Sequence, residues 1–370
     1  MVERRRVLRG TAAFAAASLV GERASAAADD GALDLALERL ARTGPEYAGG
    51  LANHGPMAAE ALVALRRSDA VAGWVERYAR RLDPAPSASE AIPRAGWEAA
   101  LGQRRRVADW AAFFRQELAD ASWPEVLREW VARLAPGFIA AATHGVIRTG
   151  HAARALAACV TPPRIHELAE GLGYWAANFT RLPESDAPAG HARPSEAILS
   201  LALLPASERR SAGFITARLA GLQGFAPFRD VAAQVALDGD AAAFLSDLTE
   251  TFARVYLDNA TPGKVITFVH AVTGPSAARL LLPFVDAAGT RALLRYAWQA
   301  AAALYVAMGD RPAEPLREAE PADAATLVER AVSNGDEHAI KLTEACLRED
   351  RLHPRTVFHL AAQDALSRLG

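Results

Sequence analysis

Lysine is almost absent from this chain: of its 41 lysines and arginines, only Lys264 and Lys341 are lysines. Arginine stays protonated far above neutral pH, whereas a lysine in a suitable environment can lose its proton and then react. A lysine retained in such a composition suggests that its amine has a chemical role. Lys341 is the stronger candidate because it follows His338 by three residues. We interpret Lys264 as a surface residue.

Other absences exclude several classes of protein. A net charge of −2, with arginines that alternate with Asp and Glu along helical patterns, argues against nucleic-acid binding. Two cysteines, Cys159 and Cys346, are too few for a disulfide framework. They could form a single disulfide bridge or remain as two buried free thiols. The sequence shows no Gly-x-Gly-x-x-Gly, Gly-x-Ser-x-Gly, His-Glu-x-x-His, Cys-x-x-Cys-His or His-Asp signature. Redox or hydrolytic chemistry would therefore depend on other residues.

The N-terminus has the three parts of an export signal. Paired arginines in Arg4-Arg5-Arg6-Val7-Leu8 precede an apolar run from Thr11 to Val20 and a small-residue cleavage site, Ala24-Ser25-Ala26. We expect residues 1–26 to be a twin-arginine signal peptide and the mature protein to be periplasmic. A mischosen start codon before an alanine-rich tail is the alternative. The run is too short for stable membrane insertion.

After residue 26 the sequence predicts an all-α protein. Apolar residues recur at three- and four-residue spacing in residues 33–40, 57–65, 71–82, 107–118, 165–179 and 288–308, and strand-like alternation is nearly absent. The longest loops, near residues 83–93, 182–194 and 309–321, separate segments that all contain histidines of interest. We therefore expect residues 27–370 to form one large multi-helix catalytic domain with a stacked helical-hairpin layout. A faint similarity between residues 149–159 and 336–346 predicts His151 and His338 in first helical turns.

Five of the nine histidines lie beside glycine or other small residues: His54, His144, His151, His270 and His338. Neutral imidazole is a ligand for iron, zinc, copper or nickel, and helical folds draw such ligands from several facing segments. These five histidines are candidate metal ligands. The other four, His166, His191, His353 and His359, lie in polar surroundings and look ordinary. The alternative is that the five histidines only cap or hydrogen-bond helix ends.

The spacing of these histidines predicts local geometry. His144 and His151 are seven residues apart, about 10 Å along one helix, so we expect Gly145, Thr149 and Gly150 to break or kink the backbone between them. His54 precedes Gly55-Pro56 and should lie where a helix begins. His270 should lie near the end of a helical run that stops at Gly274-Pro275.

Neutral histidines around a divalent cation would leave a buried charge of +2, which is costly without an anion. A lysine that adds carbon dioxide becomes a carbamate, and Lys341 could supply the missing negative ligand in that form.

The same segments resemble the questin oxidase-like family. The resemblance extends from about residue 45 to 350 and rests on four stretches: Gly50-Leu51-Ala52-Asn53-His54-Gly55-Pro56-Met57-Ala58, Ala142-Thr143-His144-Gly145-Val146-Ile147-Arg148-Thr149-Gly150-His151-Ala152, Phe268-Val269-His270-Ala271-Val272-Thr273, and Asp336-Glu337-His338-Ala339-Ile340-Lys341. Fungal members of this family oxidise anthraquinones and open a ring in a Baeyer–Villiger-like reaction. Members understood as non-haem iron enzymes use several histidines and a carboxylated lysine.

The resemblance implies a mononuclear oxygenase with Fe(II), dioxygen and an aromatic, quinone-type substrate, in which Lys341 and His338 have catalytic roles. NADPH is a candidate reductant. Tyr47, Tyr174 and Trp175 are candidate stacking residues for a flat substrate. A non-catalytic helical-repeat binding protein and a zinc-dependent hydrolase remain as alternatives, and the sequence does not say which four of the five histidines bind metal.

Overall fold

The computed structural model describes residues 31–210, 212–310 and 320–370, most of which are helical. The α-helices are α1 (residues 31–40), α2 (Gly55–Ala64), α3 (Ser68–Ala79), α4 (Val107–Asp120), α5 (Trp123–Leu134), α6 (His144–Ala158), α7 (Pro162–Ala177), α8 (Pro194–Ala197), α9 (Ile215–Arg218), α10 (Ala241–Asn259), α11 (Val265–Leu281), α12 (Ala287–Met308), α13 (Ala324–Asn334), α14 (Glu337–Leu352) and α15 (Thr356–Arg368). Short 3₁₀ helices occupy Trp97–Ala100, Arg104–Arg106, Ala135–Gly137, Ile198–Ser200, Ala206–Glu208, Leu219–Gly224, Ala226–Phe228, Val231–Ala233 and Leu282–Phe284.

Two short strands, β1 (Glu46–Tyr47) and β2 (Leu51–Ala52), form an antiparallel hairpin. The prediction of an all-α fold is confirmed. The predicted signal peptide, residues 1–26, lies outside the described residues.

Aspartates define where several helices begin. Asp240, Asp286, Asp323 and Asp336 precede α10, α12, α13 and α14, and each carboxylate accepts a hydrogen bond from a backbone N–H of the first turn. Such caps satisfy donors that a helix leaves unpaired and place negative charge at its positive end. Gly335, with φ +75°, ends α13 in the left-handed region that favours glycine. The sequence therefore fixes the start of α14 to within a residue.

Most helices share one apolar core, whereas α1 and α3 pack with one face of α2 in a second, smaller cluster. One cluster of buried residues runs from Met57 in α2 to Ala365 in α15 and contains the fully buried Trp110, Trp175 and Trp298. Residues 265–284 are long and apolar enough to cross a membrane, but 78% of that apolar window is buried inside the protein. This segment is accordingly a core element in the structure.

Four helices surround the region of the candidate histidines. α2 packs against α6 and α14, and α11 also packs against α6 and α14. The ring is therefore closed, and each of its members contributes one histidine from its N-terminal part. α3 packs on α2, at the outside of this ring.

Three local predictions are wrong, two of them on α6 and one on α11. α6 runs without a break from His144 to Ala158, so His151 lies on its eighth residue rather than in a first turn. Its glycines permit close packing instead: a Cβ on Gly145 would lie 2.8 Å from Trp175, and one on Gly150 would lie 2.8 Å from the carbonyl oxygen of Ala277.

α11 also continues past Gly274 and contains Pro275 in its interior. His270 is therefore in the first half of α11 and not near its end. An interior proline costs roughly 3 kcal/mol, and the burial of nearly the whole helix offsets this cost.

Candidate metal centre

Four histidines face one another at the N-terminal ends of the four-helix ring. The ligand nitrogens of His54, His144, His270 and His338 all lie within 4.8 Å of one another. Successive ring centroids are 4.6 Å apart for His54–His144, 4.4 Å for His144–His270, 5.5 Å for His270–His338 and 4.4 Å for His338–His54. The order of the rings repeats the order of the helices that carry them. One imidazole from each helix is thus directed to a common centre.

The nitrogens of this cluster are poorly satisfied by the protein. His54 Nδ1, His338 Nδ1 and both ring nitrogens of His270 are buried without a hydrogen-bond partner. Buried polar atoms are otherwise almost always paired, so such orphaned nitrogens require an explanation. Burial also lowers the pKa of His54, His144 and His270 well below the ordinary value, and the neighbouring Lys341 lowers each of them further. Neutral imidazoles with free lone pairs are the form that ligates a transition metal, and this donor set fits one.

His144 is oriented by an unusual turn. Ala141, Ala142 and Thr143 have φ of 48°, 57° and 72°, in the left-handed region that non-glycine residues rarely adopt. Each such residue costs about 1–2 kcal/mol. The turn brings the carbonyl oxygen of Ala141 to 2.5 Å from His144 Nδ1, while His144 Nε2 lies 2.7 Å from His54 Nε2. A bond through Nδ1 fixes the ring orientation and leaves Nε2 directed to the cluster.

The remaining ligand candidates are fixed by the helix starts. His54 is the residue just before α2, with Pro56 in the first turn, as predicted. His338 lies in the first turn of α14, also as predicted, and Asp336 accepts from its backbone N–H and from that of Ala339. The side chain of His54 makes no capping hydrogen bond. The alternative that these histidines only cap helix ends therefore does not explain the positions of their rings.

Lys341 is buried beside the cluster. Only 1% of its surface is exposed, and its Nζ has no hydrogen-bond partner among the described residues. Burial lowers the pKa of Lys341 to about 7, against the opposing influence of Glu337 and Asp336. An amine with such a pKa is largely neutral slightly above pH 7 and is then nucleophilic. The structure thus places the rare lysine next to the histidines that the sequence singled out.

α3 supports two of the histidine-bearing segments from outside the ring. The hydroxyl of Tyr78 accepts a 2.8 Å hydrogen bond from the backbone N–H of His54. Trp74 stacks on Tyr78 with ring centroids 4.7 Å apart, and its indole N–H donates to the carbonyl oxygen of Gly335 at 2.8 Å. These two aromatic residues therefore connect the start of α2 to the start of α14. Sequence reasoning missed them, although their four-residue spacing on an amphipathic helix marks one buried face.

The structure does not bring His151 into the cluster. Its Nδ1 lies 2.6 Å from Glu60, which also accepts from Arg154, and Arg154 in turn pairs with Glu344. These buried groups lie about two turns further along α2, α6 and α14 than the metal histidines. They form a separate ionic layer that ties the three helices together. A glutamate within the otherwise apolar stretch of residues 57–65 was the sequence signal for this layer.

A cavity of about 480 Å³ opens onto the cluster, and all four histidines line it. Tyr47 and Tyr174 also line this cavity, as expected of stacking candidates. Trp175 does not: it is fully buried and donates from its indole N–H to the carbonyl oxygen of Gly137 at 3.0 Å. The hydroxyl of Tyr174 donates to Glu46 at 3.0 Å. The cavity walls thus combine aromatic surface with fixed polar groups.

The other histidines of the described residues lie outside the cluster. His359, for example, contacts the carbonyl oxygen of Ala322 and the carboxylate of Asp350. Cys159 and Cys346 are free thiols, and Cys346 is buried.

Comparison with known proteins identifies the class. The family model described as Questin oxidase-like matches residues 68–346, about three quarters of the chain. The chain belongs to this family, and the resemblance seen in the sequence is confirmed. Membership implies an oxidoreductase. The matched region contains His144, His270, His338 and Lys341, whereas His54 lies before it. A search of curated proteins finds no match.

Proposed function

We propose that the protein is a mononuclear non-haem iron oxygenase that uses dioxygen to oxidise and cleave a ring of an aromatic, quinone-type substrate. The observation that carries this proposal is the group of four buried, mutually facing histidines at the base of a substrate-sized cavity. His54, His144, His270 and His338 would hold the metal. Bound Fe(II) would supply the redox chemistry that dioxygen needs to react with an organic molecule.

The size and lining of the cavity favour an aromatic substrate. Its volume of about 480 Å³ is in the range of small-molecule sites. Leu51, Phe214 and Ile266 line it and are 41%, 48% and 41% exposed, so apolar side chains stand at its mouth. Tyr47 and Tyr174 offer ring faces further along the wall. An aromatic ring system would bury this apolar surface when it binds.

Charge balance supports a carbamate on Lys341. Four neutral imidazoles leave a divalent cation uncompensated, and the helix N-termini around it add positive potential. The nearest carboxylates already have partners, because Asp336 caps α14 and Glu337 pairs with Arg81 at 2.6 Å. The buried amine of Lys341 has none. Addition of carbon dioxide to that amine, with loss of one proton, would convert it to an anionic ligand without moving the backbone.

Metal analysis tests the proposal against its two alternatives. Protein purified without an affinity tag should contain close to one iron per chain and should consume dioxygen with an anthraquinone substrate in the presence of a reductant such as NADPH. Zinc at the same stoichiometry, with hydrolytic activity, would favour the hydrolase. A chain that binds no metal would favour a non-catalytic binding protein.

The two lysines provide a matched pair of variants. Lys341→Arg keeps the positive charge but cannot form a carbamate at neutral pH, so turnover should fall by several orders of magnitude. Lys264→Arg changes a lysine that is paired with Asp310 on the surface and should leave turnover unchanged. Near-normal turnover in Lys341→Arg would rule the carbamate out.

We also propose that residues 1–26 direct the folded protein to the periplasm through the twin-arginine pathway. Replacing Arg4 and Arg5 by lysine should retain the protein in the cytoplasm, because receptors of this pathway read paired guanidinium groups. Unchanged periplasmic delivery, measured by cell fractionation, would contradict this proposal.

A further inference from the structure

The charged residues that line the cavity are paired, with one exception. Glu46 and Arg104 form an ion pair at 2.8 Å. Glu337 is paired with Arg81, which follows α3, and Asp336 accepts from two backbone N–H groups of α14. Arg218, the last residue of α9, also lines the cavity, but no described carboxylate lies within ion-pair distance of its guanidinium. It is the one uncompensated cation among the described residues of the wall.

The guanidinium of Arg218 has a single hydrogen-bond partner among the described residues. Its Nη1 donates to the carbonyl oxygen of Gly263 at 3.4 Å, a long hydrogen bond. Its Nε is buried and has no partner, although a buried N–H without a partner is unfavourable. The Nε–H and the adjacent Nη2–H form the edge of a guanidinium that binds the two oxygens of a carboxylate side by side. No described residue accepts from this edge, and its two N–H groups match the two oxygens of a carboxylate.

We propose that Arg218 binds a carboxylate of the substrate, so that the natural substrate is an aromatic acid rather than a neutral aromatic compound. The aromatic part of this statement rests on the proposed function, whereas the carboxylate part rests on Arg218 alone. Gly263, whose carbonyl oxygen anchors the guanidinium, lies two residues before α11, and His270 is the sixth residue of that helix. Arg218 and the four histidines line the same cavity, so a substrate whose carboxylate binds Arg218 would extend along this cavity toward the histidines.

A phenolate or a neutral hydroxyl fits this receptor less well. Either group offers one oxygen, so it would leave one of the two N–H groups without a partner. The positive charge of Arg218 also favours an anion over a neutral group at the mouth of the cavity. Because a charged hydrogen bond strengthens binding by roughly an order of magnitude, we expect the carboxylate to improve affinity by about tenfold.

Equilibrium binding of matched probes tests this inference without turnover. The first pair is anthraquinone-2-carboxylate and neutral 2-hydroxymethylanthraquinone, and the second is decanoate and decanol, which share the polar groups but lack the rings. Binding is followed by quenching of tryptophan fluorescence or by calorimetry, on the full chain with its metal content recorded. Wild-type protein should prefer the acid by about tenfold, and added salt should weaken that preference.

Variants assign the preference to one residue. Arg218→Gln should remove the preference for the acid and leave the Kd of the neutral probe unchanged, while Arg218→Lys should retain part of it. Arg105→Gln is the control for general electrostatic attraction, because Arg105 is exposed and does not line the cavity. The double variant Glu46→Gln/Arg104→Gln removes an ion pair whose two charges cancel, so it should keep the preference for the acid. Thermal unfolding confirms that each variant is folded.

The outcomes separate this inference from the proposed function. If decanoate is preferred in an Arg218-dependent manner but neither anthraquinone binds, the aromatic substrate class is wrong and the carboxylate receptor stands. If both anthraquinones bind equally, or if Arg218→Gln leaves the preference intact, the inference is overturned while the oxygenase proposal survives. Absence of any preference for the acid in both pairs of probes also overturns it.

Discussion

His144 and His151 lie seven residues apart on one helix, and replacing each by alanine should affect different properties. A metal site with four protein ligands binds with roughly 12 kcal/mol at neutral pH, so one imidazole accounts for about 3 kcal/mol. His144→Ala should therefore weaken metal binding by about 100-fold. Its effect on the stability of the metal-free protein should be smaller than that of His151→Ala, because the ring of His144 pairs with a backbone carbonyl and a neutral imidazole and not with a buried carboxylate.

His151→Ala should show the opposite pattern. It removes a 2.6 Å hydrogen bond to the buried carboxylate of Glu60 and leaves a small cavity. Glu60 keeps its bonds to Arg154, so the expected loss of stability is about 2–4 kcal/mol rather than that of an isolated buried charge. Metal affinity should change by less than threefold, since the ring of His151 is not in the cluster.

Two titrations measure these effects on the same preparations. Cobalt(II) binding, followed by visible absorption, gives metal affinity, and urea unfolding in the presence of a chelator gives the free energy of unfolding. Comparable loss of cobalt(II) affinity in both variants would refute the assignment of ligands. A His144→Ala variant that is less stable than His151→Ala but binds cobalt(II) normally would reverse their roles.

Three further predictions concern the surroundings of the site. In the absence of metal and carbon dioxide, the free energy of unfolding should rise by about 2 kcal/mol between pH 7 and 9. The reason is that the pKa of Lys341 is about 7 in the folded protein and 10.5 in the unfolded chain, so that only the unfolded chain keeps the proton in this range. Urea unfolding of Lys341→Met should lack this rise. Tyr78→Phe removes the acceptor of the His54 N–H and should weaken cobalt(II) binding by about tenfold, and unchanged affinity would refute the support by α3. Ala142→Gly places glycine at a positive φ and should not lower stability in thermal unfolding. Ala72→Gly, on the exposed face of α3, should lower stability by about 1 kcal/mol. Equal losses in the two variants would contradict backbone strain at Ala142.

Much of the candidate site could be predicted from residue types and local signals. Lys341 stands out because nearly every other cation is arginine, and chemistry explains why a lysine would be retained. Asp336 and Pro56 mark helix starts through capping and the fixed φ of proline, so the positions of His338 and His54 at those starts follow from a few neighbouring residues. Periodicity of apolar residues likewise predicts the helices themselves.

The errors arose where packing outweighed a local preference. Pro275 and the glycines of α6 normally interrupt helices, but in this fold they lie where neighbouring helices approach closely. The free energy gained by burying these helices exceeds the cost of the backbone hydrogen bond lost at Pro275 and of the flexible glycines in α6. No short stretch of sequence contains that information, because the atoms that pack against Gly150 belong to α11.

The sequence alone determined the helical class, the helix starts and the set of candidate residues, since each depends on interactions within a few residues. Only the tertiary structure decided which candidates meet. His144 and His151 share one face of α6, yet ligands of one ion must all lie about 2 Å from it, and a helix separates these two residues by about 10 Å. The packing of α2, α11 and α14 brings three further histidines to the level of His144, and places Glu60 and Glu344 at the level of His151.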